Sequence, residues 1–192
     1  MGLDISAVSE LLPVDVPEEI EIWSDEYYDW ESEKGYQLWR PYTRPHFPKQ
    51  GEGLPESDMV EAEGEESYSF RAGSYSGYGE WRNDLALAAG YEGGAEGVWN
   101  RIDSEGYTGE PFEELINFSD ADGVIGPVAS EKLYNDFIKY EKDIMDTIDW
   151  WYLKMTPEKE YGGDDKKWFK IKYDDWKQAF NVARNNGMVI FH

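Results

Sequence analysis

Apolar and polar residues alternate from the first turn of the sequence. Leu3-Asp4-Ile5-Ser6-Ala7-Val8 has a period of two, which predicts a half-buried strand. Glu19 to Trp23, EIEIW, alternates in the same way and predicts a second strand. Asp25 to Gly35 lacks that alternation and reads as an acidic, aromatic loop. Tyr36 to Tyr42, YQLWRPY, predicts a strand that Pro41 confines to a sheet edge. Thr43 to Pro55 is broken by Pro and Gly and reads as loop. Tyr68 to Arg71 predicts a strand that stops at Gly73.

The period then changes. Tyr78, Trp81, Leu85 and Ala88 recur at helical spacing, and Gly90 supplies a stop. Tyr91 to Gly109 is glycine-rich without a clear period and reads as irregular. Phe112 to Phe118 is a short apolar piece of open type. Gly126-Pro127 opens a helix, because proline in the first turn loses no hydrogen bond. Leu133, Phe137, Tyr140, Ile144, Ile148 and Trp151 form its stripe. Pro157 and Gly162-Gly163 break the chain. Phe169, Tyr173, Trp176, Phe180 and Ala183 mark a last helix, Asn186-Gly187 caps it, and Met188 to Phe191 reads as a final strand. These elements predict one α+β domain over residues 1–192. It has a small, mainly antiparallel sheet packed by about three helices, with the first and last strands paired.

Composition narrows the chemistry. Hydrophobic residues make up 40% and aromatics 16% of 192 residues, too much apolar surface for a disordered acidic chain. There is no Cys and there are two His, which excludes thiol chemistry and a His-rich zinc site. No cofactor is called for. Met1 to Leu12 lacks the basic start and apolar run of a signal peptide, and no apolar run approaches a membrane span. A cytoplasmic protein is expected.

The net charge is −23 and unevenly placed. Residues 1–130 hold 29 acids and 7 bases, whereas residues 131–192 hold 12 acids and 11 bases. Asp15 to Glu33 and Glu52 to Glu66 carry acids and no base. Such a surface repels nucleic acid and anionic membranes, so neither is expected as a direct partner. It suits solubility, or occupation of a basic groove on another protein by imitating DNA.

Phe70 to Trp81, FRAGSYSGYGEW, joins a strand, a Gly/Ser turn and a helix start. Amide groups at a helix N-terminus favour an anion. Arg71 offers a forked donor, Ser74 and Ser76 offer hydroxyls, and Tyr75, Tyr78 or Trp81 offer a ring to stack on a base. Arg82 follows one turn after Tyr78. The plainer reading has Ser74 or Ser76 capping the helix and Arg71 pairing with an acid. Asn117 to Gly126, NFSDADGVIG, is a second polar cluster. In calcium-loop register with Gly123 sixth, Phe118 and Ala129 fall where ligands belong, so that reading fails. Asp122 fits a turn before Pro127, while Asn117, Ser119 and Asp120 stay open for ligand contacts. His192 adds an imidazole for binding or proton transfer. No standard catalytic motif is present.

MGLDI at the start, FRAGSYSGYxxWR, ELINFSDxxGxIGP and the closing FH resemble an uncharacterised family of phage and prophage proteins. The resemblance covers the start, about Phe70 to Leu133 and the last helix. The acidic stretch at about 15–34 and the stretch at about 150–167 look like insertions particular to this chain. The resemblance implies a phage protein acting inside a bacterial host. A host-defence antagonist that binds and sequesters a small nucleotide-type signal is expected. An acidic inhibitor of a basic host protein and a nucleotide hydrolase using Asp120 and Asp122 are the alternatives. Homo-oligomerisation is left open.

Overall fold

The computed structural model describes residues 2–34, 38–43, 46–47, 49–155 and 162–192. In chain order the elements are β1 (Leu3–Val8), β2 (Leu11–Val14), α1 (Asp25–Lys34), β3 (Leu38–Trp39), β4 (Met59–Ala62) and β5 (Ser67–Gly73). Then come α2 (Tyr75–Ala88), α3 (Gly94–Glu105), α4 (Glu113–Ile116), β6 (Gly123–Ile125), α5 (Pro127–Met155), α6 (Gly162–Ala183) and β7 (Met188–Phe191). The fold is α+β, with two antiparallel sheets rather than one. The first runs β5–β1–β7–β6, and the second runs β2–β4–β3. No helix among the described residues is long and apolar enough to cross a membrane.

The period of two in β1 does what it predicts. Leu3, Ile5 and Ala7 are buried, while Asp4 is exposed and Ser6 half-buried. The first and last strands pair, with Ile5 opposite Phe191. β7 has no polar face because both of its faces are covered. Val189 and Phe191 join the main core. Met188 and Ile190 pack on Val8, Leu11, Val60 and Val124, so the second sheet sits on the outer face of β7. That cover stops short of the outward residues of β1 and β5, which positions the site described below.

The stripes of α5 and α6 face each other in the main core. Phe137 and Tyr173 meet edge to face at 4.6 Å, and the Tyr173 hydroxyl donates to the Phe137 carbonyl at 2.8 Å. Trp176 touches Tyr78, Trp81, Phe70, Phe180 and Phe191, all with ring centroids within about 6 Å. Each large side chain fully buried there contributes about 1.5–3 kcal/mol.

Other expectations change. Glu19 to Trp23 forms turns, not a strand. Its Ile20 and Ile22 pack on a small cluster of Val14, Tyr27, Leu38 and Met59, and Trp23 adopts φ 73°, off the extended region. The expected loop after it is α1: Ser24 caps the helix through the Tyr27 N–H at 3.1 Å, and Tyr27 lies fully buried. Tyr36 lies outside the described residues. The strand expected around it is β3, at the edge of the second sheet. The glycine-rich stretch holds α3, whose Ala95, Val98 and Ile102 face the core. Its glycines mark the ends and the approach to α2. Gly94 has φ 62°, and a Cβ there would overlap the Asn83 carboxamide, which caps Ala95 N–H at 3.2 Å. Pro157 lies outside the described residues, while Gly162 begins α6 instead of breaking the chain.

Candidate functional site

The register of the first sheet brings distant polar residues onto one face. Asp4 is opposite Arg71 and Ser6 is opposite Ser69. Residues two apart in a strand share a face, so these four side chains form two adjacent rows. His192, directly after β7, lies beside them, and its backbone N–H donates to the Asp4 carbonyl at 3.0 Å. Ser69 Oγ donates to Ser6 Oγ at 3.2 Å, and Ser6 Oγ lies 3.2 Å from His192 Nε2. The imidazole stands 6.1 Å from the Trp39 ring. Trp39, Ser6, Ser67 and Ser69 line an open groove of about 440 Å³.

Arg71 Nη1 donates to Asp4 Oδ1 at 3.4 Å, and the two side chains are 59% and 58% exposed. An exposed pair of that length contributes about 0–1 kcal/mol, so Asp4 holds Arg71 loosely. The guanidinium lies against Gly2, where a Cβ would collide with it. Burial lowers the His192 pKa, and the charge of Asp4 pulls the other way. The face therefore offers a forked cation, a chain of two hydroxyls, an imidazole poised between donor and acceptor, and an aromatic wall.

The turn at the start of α2 is already occupied by its own groups. Ser74 is the N-cap (φ −69°, ψ 160°), and its Oγ accepts from Gly77 N–H at 3.0 Å and lies 3.1 Å from Ser76 Oγ. Trp168 of α6 packs beside the turn, where a Cβ on Gly73 would stand 3.3 Å from its ring. Tyr75 is exposed. Tyr78 and Trp81, expected to stack on a base, lie instead in the aromatic core. Trp81 Nε1 donates to the Phe169 carbonyl at 3.2 Å, and neither ring reaches solvent. The helical spacing that marks Tyr78, Trp81 and Leu85 is the spacing of a buried face.

Arg82 is on that face too, only 6% exposed. It lies between the Tyr78 and Trp99 rings at 5.0 and 5.3 Å and donates from Nη1 to the Phe118 carbonyl at 2.6 Å. Among the described residues it makes no ion pair, and its Nε and the Tyr78 hydroxyl lack partners. Burial pushes the Tyr78 pKa up to about 12, opposed by Arg82 and reinforced by Asp120. The second cluster thus meets Arg82, not Arg71. Ser119 Oγ accepts from the N–H groups of Ala121 and Asp122 at 3.2 and 3.4 Å, closing a local turn. Asp120 is exposed. Asn117 Nδ2 donates to the Tyr107 hydroxyl at 2.9 Å, which also receives Gln50 Nε2 at 2.8 Å. Among the described residues no group of three His, Cys, Asp or Glu is placed to hold a metal.

Of the expected ligand residues, Arg71 and His192 flank Asp4 from opposite sides of β1, and Arg82 meets Tyr78 and the Phe118 carbonyl of the 117–120 loop. Ser74, Tyr75 and Ser76 stay at the helix start. Asp4, Ser6, Ser67, Ser69 and Trp39 were not expected at a site. The alternation in β1 already points Asp4 and Ser6 to one side, but only the strand register shows what they meet. No family model, curated protein or solved structure matches the chain.

Proposed function

We propose that the protein binds and sequesters a small nucleotide-type ligand on the outward face of the first sheet. The observation that carries this reading is the convergence of Arg71, Ser69, Ser6 and His192 on one face beside Trp39, at the edge of an open groove. Trp39 stacks on the base. The serine hydroxyls and His192 bond to its polar edges or to ribose. Arg71 exchanges its loose contact with Asp4 for a phosphate. Binding alone suffices for this role, and the phage resemblance gives it a purpose: removal of a host defence signal. The charge of −23 opposes an anion at long range, so screening by salt strengthens the complex or leaves it unchanged.

Native mass spectrometry of protein purified from a bacterial host, followed by a thermal-shift screen of linear and cyclic nucleotides, tests this. A bound or stabilising nucleotide is expected, and Arg71→Ala removes it while leaving the circular dichroism spectrum unchanged. An undiminished shift in Arg71→Ala places the ligand elsewhere. A new product mass replaces sequestration by hydrolysis.

A further inference from the structure

A second concavity, which shares no lining residue with the groove at the polar sheet face, lies around the turns between β2 and α1. Val16, Ile20 and Ile22 line it, half-buried, with Val14 beneath. Asp15, Glu18, Glu56 and Asp58 also line it, and all four are exposed. The space is about 660 Å³. None of these four carboxylates makes an ion pair among the described residues. Below the aliphatic lining, in the same cluster, Tyr27 is fully buried and its hydroxyl lacks a partner among the described residues. Next along the chain, Trp23 and Tyr28 stand 49% and 51% exposed with ring centroids 6.4 Å apart.

An aliphatic floor inside an acidic rim excludes most occupants. An anion or a nucleic acid is repelled. A purely apolar segment leaves four carboxylates facing it without counter-charge. Lysine and arginine fit both parts, because each carries an apolar stem and a charged head. Arginine and lysine heads also sit well over exposed Trp and Tyr rings. We infer that this groove is a docking site for a basic segment of a protein partner, with Lys or Arg stems on Val16, Ile20 and Ile22 and their heads on Asp15, Glu18, Glu56 and Asp58. Trp23, which follows the lining residue Ile22 in the chain, and Tyr28 offer exposed rings to the same segment. Residues 1–66 hold 18 acids against 4 bases, and all four rim carboxylates belong to this stretch, so its charge favours the approach of a basic partner.

The test titrates the full chain into a fluorescein-labelled dodecapeptide repeating Lys-Leu-Ser, read by anisotropy. The rim variant combines Asp15→Asn, Glu18→Gln, Glu56→Gln and Asp58→Asn. A control combines Glu92→Gln, Glu96→Gln, Asp103→Asn and Glu105→Gln, which removes the same charge from exposed positions at α3. The rim variant is expected to lose about tenfold or more in affinity and the control less than about twofold. Ile20→Ser with Ile22→Ser is expected to weaken the Lys-Leu-Ser peptide more than a peptide of lysine and serine alone. Equal losses in the rim and control variants mean diffuse attraction to an acidic surface and overturn the proposal. No loss in the floor variant also overturns it. If that variant fails to fold, the contrast between rim and control decides alone.

Discussion

In α5 and α6 most of the described lysines have a carboxylate close by. Lys132 lies 2.6 Å from Glu114 and 2.9 Å from Asp136. Lys166 and Lys170 both reach Asp149, Lys172 reaches Asp175, and Lys177 bridges Glu141 and Asp174. The first 66 residues carry a net −14, and Asp15, Glu18, Glu56 and Asp58 face solvent around a groove. The cores differ in the same sense. The helical half packs Trp176, Tyr173, Phe137 and Phe180 in one large cluster, whereas the small cluster under α1 rests on Val14, Tyr27, Leu38 and Met59. Charge that is neutralised inside the molecule has a structural task. Charge left unpaired costs self-repulsion and stays free to act on something else.

The largest effect that tests this contrast is in the core. Trp176→Ala removes the ring at the centre of the aromatic cluster and is expected to cost about 3–5 kcal/mol, lowering the melting temperature by about 10 °C. Met59→Ala, in the smaller cluster, is expected to cost about 2–3 kcal/mol. Denaturant melts of both variants compare the two. A smaller loss for Trp176→Ala than for Met59→Ala would place the stability of the fold in the acidic region and reverse the comparison.

Charge removal is the next effect in size, and its sign is the point. Asp136→Asn, Glu141→Gln, Asp149→Asn and Asp175→Asn together remove a carboxylate partner from each of Lys132, Lys166, Lys170, Lys172 and Lys177. They are expected to destabilise by about 2 kcal/mol, since exposed and half-exposed pairs contribute about 0–1 kcal/mol each. The rim variant removes four charges as well, yet it is expected to raise the melting temperature by a few degrees at low salt, about 1 kcal/mol of relieved repulsion. Calorimetry at low and high salt separates them, because the gain of the rim variant shrinks as salt rises. Equal and like-signed shifts would show that the two regions do not differ in how they use charge.

The same logic gives the two proposed sites opposite salt slopes. Between about 50 and 300 mM salt, nucleotide affinity at the sheet face is expected to hold or rise by up to about threefold, while basic-peptide affinity at the groove falls by about tenfold. Isothermal titration of each ligand against salt reads both slopes on one protein. A nucleotide affinity that falls as steeply as that of the peptide would mean that local attraction by Arg71 outweighs the field of the whole chain.

The helical half was legible because its stripes are long. Leu133, Phe137, Ile144 and Ile148 repeat over many turns, and only one period fits them. Beyond β1, whose alternation is plain, the first third was less so, because its other strands are too short to show a period. β2 and β4 have four residues each and β3 has two. EIEIW alternates like a strand, but its isoleucines pack from a turn, and α1 buries too little to show an apolar face, with Tyr27 fully covered among exposed acids. At the site, residue types were readable and partners were not. Arg71 and His192 stand out as a cation and an imidazole in an acidic chain, but their placement on either side of Asp4 depends on Asp4 lying opposite Arg71 and Ile5 opposite Phe191. No local pattern encodes pairing across 67 and 186 positions. Arg82 shows the converse: a base one turn from an aromatic looks like a ligand residue, and is used to bind the Phe118 carbonyl.

The smallest expected effect isolates His192. Burial holds its pKa below the ordinary value of 6.5, so the unfolded chain takes up this proton before the folded one does. The stability linked to this group is present above pH 6.5 and is lost as the pH falls from there through the folded value. His192→Asn keeps a polar partner for Ser6 and removes the titration, so its melting temperature should fall less than that of the parent between about pH 7.5 and 5.5, by about 1 °C. Proton NMR follows the ring directly. A nucleotide phosphate bound near Arg71 adds negative charge beside the imidazole and should raise its pKa, whereas a basic peptide in the other groove, which His192 does not line, should leave it unmoved. If the peptide moves the His192 titration as much as the nucleotide does, the two surfaces are one coupled site and the division between them fails.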